Sequence, residues 1–382
     1  MRAGLKPDVI VIGAGIVGAA CARALASDGL AVLVLDASFP GGGTTAAGMG
    51  HIVVMDDSPE QLALTALSAE LWRGLVPKLS RNVEFDACGT IWVAEDAAQM
   101  DAVREKQRVY GAHDIASEML DASHLATLEP NLRAGLAGGL LVPGDAVVYP
   151  PCAALWLLEE ARALGASIRE SCRVTEIMDG AVRCGQEVIE ADLIVNAAGA
   201  QAGMLSPLLP VVPRKGHLAI TDRYPGFVRH QLVELGYLTS AHVMTNESVA
   251  FNVQPRSTSQ VLIGSSRELV GWDGSTNVKV LRQMLARASE FMPGLAGLSV
   301  VRTWTGFRPA MADKLPAIGE LRPGVWVAAG HEGLGITTSL GTARILADLI
   351  AGRTPPMDVA AFSPGRFATA GSESSTRFAR SE

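Results

Sequence analysis

Val9-Ile10-Val11-Ile12-Gly13-Ala14-Gly15-Ile16-Val17-Gly18 decides the fold, together with the stretch that follows it through Gly29 to Ala31-Val32-Leu33-Val34-Leu35-Asp36. Asp8 opens a short apolar strand, which turns through the glycines directly into the segment 19–29. That segment has helical spacing, with Ala20, Ala24 and Leu25 on one face and Gly29 as its stop. A second strand, Ala31 to Leu35, ends at an acid. Strand, GxGxxG, helix, strand and terminal carboxylate in this register form a βαβ dinucleotide-binding fingerprint. Gly13 permits the tight turn, Gly15 lets backbone approach a pyrophosphate, and Gly18 allows the helix to lie close on the strand. The free N–H groups and positive dipole of the helix amino terminus, around Ile16 and Val17, suit an anion. Asp36, with Ala37 beside it, accepts from a ribose 2′-hydroxyl and repels a 2′-phosphate.

Outward from this motif, 382 residues suggest two domains or one large elaborated one. Hydrophobic residues make up 48% and charged residues 19%, enough for a large core, so wholesale disorder is excluded. With 32 Lys+Arg against 39 Asp+Glu the net charge is −7, which argues against nucleic-acid and anionic-lipid partners. No apolar run reaches the ~18 residues of a membrane span. The first 25 residues superficially resemble a signal peptide, but Gly13, Gly15 and Gly18 interrupt the apolar part. Cys21, Cys88, Cys152, Cys172 and Cys184 are dispersed, with no CxxC and no zinc spacing. They read as reduced buried thiols in a cytoplasmic protein, with no metal site.

Beyond Asp36 lies the small-residue stretch from Gly41 to His51, which would let chain lie against a flat ring system. A helix is predicted over Pro59–Leu79, and an inserted second domain from Phe85 to Val148. A helix over Cys152–Leu164 follows, then strands at Ser167–Arg169 and Arg173–Ile177, and an apolar strand running into the turn Asn196-Ala197-Ala198-Gly199-Ala200. Residues 216–304 alternate as a half-exposed antiparallel sheet, interrupted by a helix over Val278–Phe291. Near the carboxyl terminus the strand Val325–Ala329 opens into Gly330-His331-Glu332-Gly333-Leu334-Gly335-Ile336-Thr337-Thr338 and a helix from Ser339 to Ile350. This is a second place where free amides would meet an anion or an electron-rich ring edge.

Four motifs carry a resemblance to the D-amino-acid oxidase superfamily of flavoproteins: GAGIVG with Asp36; TTAAGMGH (Thr44 to His51); NAAGA (Asn196 to Ala200); and GFRP (Gly306 to Pro309) with GHEGLGITTS (Gly330 to Ser339). The resemblance runs from Asp8 to about Gly352. It implies an α/β chain: a discontinuous Rossmann-like FAD-binding domain (1–84, 150–215 and 305–362) and an antiparallel-sheet α+β substrate domain over the flavin (85–149 and 216–304); the Ser/Gly/Arg-rich tail (363–382) is expected to be disordered. It further implies that Thr44, Thr45 and Ala47 lie near the pyrophosphate and ribityl chain, and that Gly48, Met49 and His51 approach the isoalloxazine. Val174 then lies on the adenine side, Ala198 and Gly199 form a second close backbone approach, and Gly333, Leu334, Gly335, Ile336 and Thr337 meet the pyrimidine edge. No cysteine follows Cys184, so the FAD is expected to be non-covalent. Aromatic substrate clamps are not evident among Tyr110, Tyr149, Tyr224 and Tyr237.

An amino acid awaiting oxidation presents a carboxylate, an amine and an α-hydrogen, and hydride transfer to flavin N5 needs a fixed approach. Arg308 matches the family's carboxylate-binding position and would supply a bidentate clamp; the alternative is a surface or bridging arginine. His51 and His331 are candidates to orient substrate or take a proton, or else are hydrogen-bonded structural histidines. Arg214-Lys215-Gly216-His217 reads as a crossover with exposed charges, while Arg267 and Glu268 line a cavity or pair on its rim. The expected activity is oxidation of an amino or imino acid, such as D-proline or D-hydroxyproline, to its imine. The electrons pass to oxygen, a quinone or a partner subunit, in a homo- or hetero-oligomer. A peroxide-producing, glycine-oxidase-like enzyme and a flavin-carrying electron-transfer subunit without its own turnover are the alternatives.

Overall fold

The first strand, Val9–Ile12, is buried along its whole length, because parallel partners flank it and helices cover its faces. It pairs with Val32–Leu35 on one side and Leu193–Asn196 on the other. The full sheet of six runs Ala317–Arg322, Val325–Ala329, Leu193–Asn196, Val9–Ile12, Val32–Leu35, Ser167–Arg169, and only the Ala317–Arg322 edge is antiparallel to its neighbour. The helix Ile16–Ser27 packs against Pro150–Ala163 and Gly335–Ile350. It ends as read from the sequence: Gly29 takes φ +86°, and Leu30 N–H reaches back to the carbonyl of Leu25 at 3.3 Å. The computed structural model describes residues 6–236 and 247–367; Tyr237 and the segment 368–382 lie outside them.

The chain divides into two units, the first comprising residues 1–46, 150–213 and 308–382, the second 47–149 and 214–307. Residues 47–84, grouped by sequence with the nucleotide motif, belong to the second unit. The reason is their pairing there: His51–Ile52 runs antiparallel to Ala146–Val147, and Tyr110 Oη donates to the carbonyl of Val54 at 2.7 Å. The helix from Pro59 is capped by Ser58, whose Oγ accepts from Gln61 N–H at 3.1 Å, and stops at Leu75 instead of Leu79. Pro77, which lacks an N–H and restricts Val76, turns the chain into a short 3₁₀ turn there.

The second unit is built on an eight-stranded sheet in the order Val300–Ala310, Val212–Arg223, Gln260–Glu268, Glu247–Pro255, Gln231–Glu234, Thr90–Ala94, Gly138–Val142, Glu118–Asp121. The expected antiparallel sheet is mixed, since Gln231–Glu234 lies parallel to Thr90–Ala94. Nor is it half-exposed. One face carries Ile91, Leu232, Phe251, Val253, Ile263 and the helix Val278–Phe291. The other carries Thr90, Gln231, Asn252 and Gln254, all buried as well.

Two further expectations are corrected. Cys172 and Cys184 are not separate reduced thiols: they form a disulfide with Cα atoms 5.8 Å apart, within bridging range, leaving Cys21, Cys88 and Cys152 free. Residues 363–367 are not disordered, because Pro364–Phe367 forms a 3₁₀ turn with Pro364 buried and Arg366 paired to Asp313 at 2.7 Å. Among the described residues no helix is long and apolar enough to cross a membrane.

Asp145, 1% exposed, accepts from Val54 N–H at 3.2 Å, and burial pushes its carboxyl up to about 7 against the opposing pull of Thr90, the Val54 amide and Lys106. The folded state therefore holds this proton above the pH at which the unfolded chain releases it, and stability falls as pH rises from about 4 to about 7. Asp145→Asn is expected to flatten that decline, which amounts to at most about 4 kcal/mol. Urea unfolding midpoints of both proteins across pH 4 to 8 check it.

Candidate active-site residues

In the first unit the glycine turn is shaped by what it cannot accommodate. A Cβ on Gly18 would stand 1.9 Å from the carbonyl oxygen of Gly13, and one on Gly13, at φ +103°, would stand 2.5 Å from that of Ala197. The two turns predicted to approach a cofactor thus meet at Gly13. Asn196 holds the second of them by donating to Ala202 O and Ser206 Oγ at 3.0 and 2.9 Å, while its Oδ1 accepts from Ala198 N–H. Gly199 takes φ +55° and lies beside Thr44, whose Oγ1 would be 3.9 Å from an added Cβ. Thr45 Oγ1 accepts from Ile16 N–H at 3.0 Å, so its hydroxyl serves the helix terminus directly.

Ala14 N–H is taken by Asp36 Oδ2 at 2.7 Å, and Ser38 N–H by Oδ1 at 2.8 Å. The amides of Gly15 and Val17 keep no protein acceptor among the described residues. A helix start with unspent amides, no Cβ at Gly15 and a carboxylate with spare lone pairs suits a dinucleotide's pyrophosphate and ribose. Val174 opens the strand Val174–Met178 and packs in one apolar cluster with Leu35 and Ile12.

The carboxyl-terminal glycine turn lies in the same unit. A Cβ on Gly335 would be 3.8 Å from Val17 Cγ2, which brings this turn beside the first helix. A Cβ on Gly333 would be 3.7 Å from Arg308 Nε, so the guanidinium lies over a residue with no side chain of its own. The helix beginning at Gly335 buries Ile336, Thr337 and Thr338 and has no side-chain cap at Leu334. His331 is placed differently from the expected substrate-facing role. It is 4% exposed, its Nε2 is 3.0 Å from Thr342 Oγ1, and burial pushes it down to about 3. An imidazole this hard to protonate, tied to the helix it precedes, is a structural group.

In the second unit Ala47 is held by Trp304 Nε1 at 3.4 Å and crowds Gly306, where a Cβ would stand 2.3 Å away. Met49 Sδ occupies the space over Gly264, and Met49 O accepts from Gln254 Nε2 at 2.9 Å. His51 is half-buried and in register with Val147. The charges of Arg214, Lys215 and His217 are buried, not exposed. Lys215 lies 3.5 Å from Glu268, His217 Nδ1 3.0 Å from Ser266 Oγ, and Asn277 Nδ2 donates to Glu268 at 2.9 Å. Arg267 is likewise buried. Asp145, Gln254 and the ion pair of Lys106 with Asp56 escaped the sequence reading. Each lies in a stretch with no motif, and only a buried-polar pattern on the strands could have flagged them.

The family model of the DAO FAD-dependent oxidoreductases matches residues 8–349. The chain is similar to the glycine oxidase of Pseudomonas aeruginosa, 28% identical over 94% of this chain and 99% of that one. It is also similar to the D-amino acid dehydrogenase of Xanthobacter autotrophicus, 30% identical over 74% and 68%. The solved glycine oxidase of Geobacillus kaustophilus superposes with a TM-score of 0.85 at 25% identity, covering 94% of this chain and 99% of that one.

Gly18→Ala is expected to lower the bound flavin absorbance and cost about 1–3 kcal/mol, because backbone must move to admit the methyl. Gly29→Ala, with nothing within 4 Å but φ +86°, is expected to cost a similar or smaller amount and to leave flavin content unchanged. The ratio of flavin to protein absorbance and the thermal midpoint distinguish the two.

Proposed function

Since the chain belongs to the DAO family of FAD-dependent oxidoreductases, we propose that it oxidises a small amino or imino acid, of the D-proline or D-hydroxyproline kind, to the corresponding imine. The observation that carries this reading is the position of Arg308 over Gly333, in the same unit as the Gly13–Gly18 turn. A nucleotide-binding turn and a cationic fork within one unit suit a cofactor and a carboxylated substrate together. When bound, the FAD supplies the acceptor for two electrons from the carbon–nitrogen bond.

On this reading the first unit is the FAD-binding domain and the second the substrate domain. Gly15 and Val17 offer amides to the pyrophosphate, and Asp36 accepts from the ribose. The backbone of Gly333 to Thr337 and the helix start at Gly335 favour negative charge on the flavin's edge. Arg308 takes the substrate carboxylate in a two-point contact, and bare Gly333 leaves room for it. His51 remains a separate candidate in the second unit, since His331 stays neutral and packed. A glycine-oxidase-like enzyme that makes peroxide is the second reading, favoured by the similarity to two glycine oxidases.

Anaerobic bleaching of the flavin by a panel of D-, L- and N-alkyl amino acids, with D-proline and cis-4-hydroxy-D-proline included, tests the substrate class. Peroxide yield with and without an artificial acceptor separates the two readings. Arg308→Ala is expected to retain FAD and raise KM for the carboxylated amine by about 10- to 100-fold, the worth of a charge-assisted pair. Bleaching by the matching amino amide, which lacks the carboxylate, should not change between the two proteins. An unaltered KM for the acid would remove Arg308 from the site.

A further inference from the structure

Asp36 is held through its backbone as well as its side chain. Its N–H donates to the carbonyl of Arg169 at 3.0 Å, and its own carbonyl accepts from Cys172 N–H at 2.7 Å. Ser171 N–H donates to Ser38 O at 3.0 Å, with Ser171 in the left-handed region at φ +54°. The turn 169–172 therefore grips the backbone of 36–38. Its last residue, Cys172, is 2% exposed and disulfide-bonded to Cys184. Cys184, half-buried, ends the middle strand of the sheet formed by Val174–Met178, Ala181–Cys184 and Glu187–Glu190. It packs on the cluster that contains Ile12, Leu35 and Val174. The other cysteines with resolved surroundings are poor redox groups: burial pushes the Cys21 and Cys88 thiols up to about 12.

We propose that Cys172 and Cys184 are a redox modification site whose reagent is a small dithiol or its disulfide, and whose oxidised form fixes the Asp36 turn so that FAD is retained. This rests on the FAD reading given above. In the reductive direction a thiolate of the dithiol attacks Sγ of Cys184, the more exposed of the two. The protein disulfide breaks, and Cys172 leaves as a thiolate that takes up a proton. The second thiol of the reagent then attacks the mixed disulfide, releasing Cys184 as a thiol and the reagent as a cyclic disulfide. Two electrons and two protons have passed to the pair. With the bond open, Cys172 is tied to its sheet only by the main chain and apolar packing, and its amide loosens from the Asp36 carbonyl.

Titration of the apoprotein with FAD, followed by quenching of flavin fluorescence, tests this on air-oxidised protein and on protein reduced with dithiothreitol and freed of it. Thiols are counted in denaturant alongside. Three thiols are expected before reduction and five after it. The FAD Kd should rise about fivefold on reduction, the worth of one net backbone hydrogen bond. The double variant Cys172→Ser/Cys184→Ser should show the weaker Kd whether or not it has met the dithiol. Equal Kd in the two redox forms overturns the proposal, as do five thiols in untreated protein. A chain that takes up no FAD in either form overturns the cofactor reading, and this proposal with it; the thiol count tells that failure from the others.

Discussion

Steric exclusion at Gly13 and Gly18 is the constraint from which the rest of the first unit follows. With 1.9 Å between a would-be Cβ on Gly18 and Gly13 O, the helix can lie this close to the strand only while position 18 has no side chain. That closeness leaves the helix-start amides in front of the strand end, where Thr45 takes that of Ile16 and Asp36 takes that of Ala14 just before the helix. It also lets the Ala197–Gly199 turn touch Gly13 and the Gly335 turn touch Val17. Four segments distant in sequence are thereby brought to one helix terminus. A glycine-rich composition is the sequence-level trace of this design.

How much of this was legible depends on how local the physics is. The βαβ motif, the Gly29 stop and the Val278–Phe291 helix are set by residues a few positions apart, and their pattern can be read in one window. Arg308 was singled out through its neighbours Gly306, Phe307 and Pro309, while its place over Gly333 is visible only in the fold. The placement of 47–84 was not, because it rests on partners dozens of residues away: Tyr110 with Val54, Lys106 with Asp56, Asp145 with Val54. Arg214 to His217 looked exposed because charge predicts solvent, whereas Glu268, Ser266 and Asn277 supply partners that no local window contains. His331 sat among glycines that promised an open turn. Thr342, two turns into the helix that follows, draws it inward instead.

The second unit fixes its candidate residues by another route. The chain from Met49 to Met55 offers little regular structure beyond a two-residue strand, yet five of its polar backbone groups are held from outside it. Gln254 takes Met49 O, Val148 takes Gly50 O, Asp145 takes Val54 N–H, Tyr110 takes Val54 O, and Thr65 takes Met55 N–H. These partners are side chains and loops buried in a layer on the polar face of the eight-stranded sheet, where a lost partner costs the full desolvation of the group left behind.

That difference decides how each unit responds to change. In the first, adding atoms is what does damage, since the turns work by having no side chain, and isosteric replacements elsewhere leave the amides in place. In the second, removing atoms does the damage: deleting one carboxylate or amide strands its partner in a low-dielectric layer that also contains Lys106, an ammonium kept in place by Asp56 and by the faces of Trp92 and Tyr110. Burial lowers the proton affinity of that ammonium and raises that of Asp145 nearby. Both shifts run toward neutrality and away from an ion pair between them, so the layer tolerates its charges only because Asp56, at its partly exposed margin, balances the lysine. The adjustable part of this layer is therefore its charge state, not its packing.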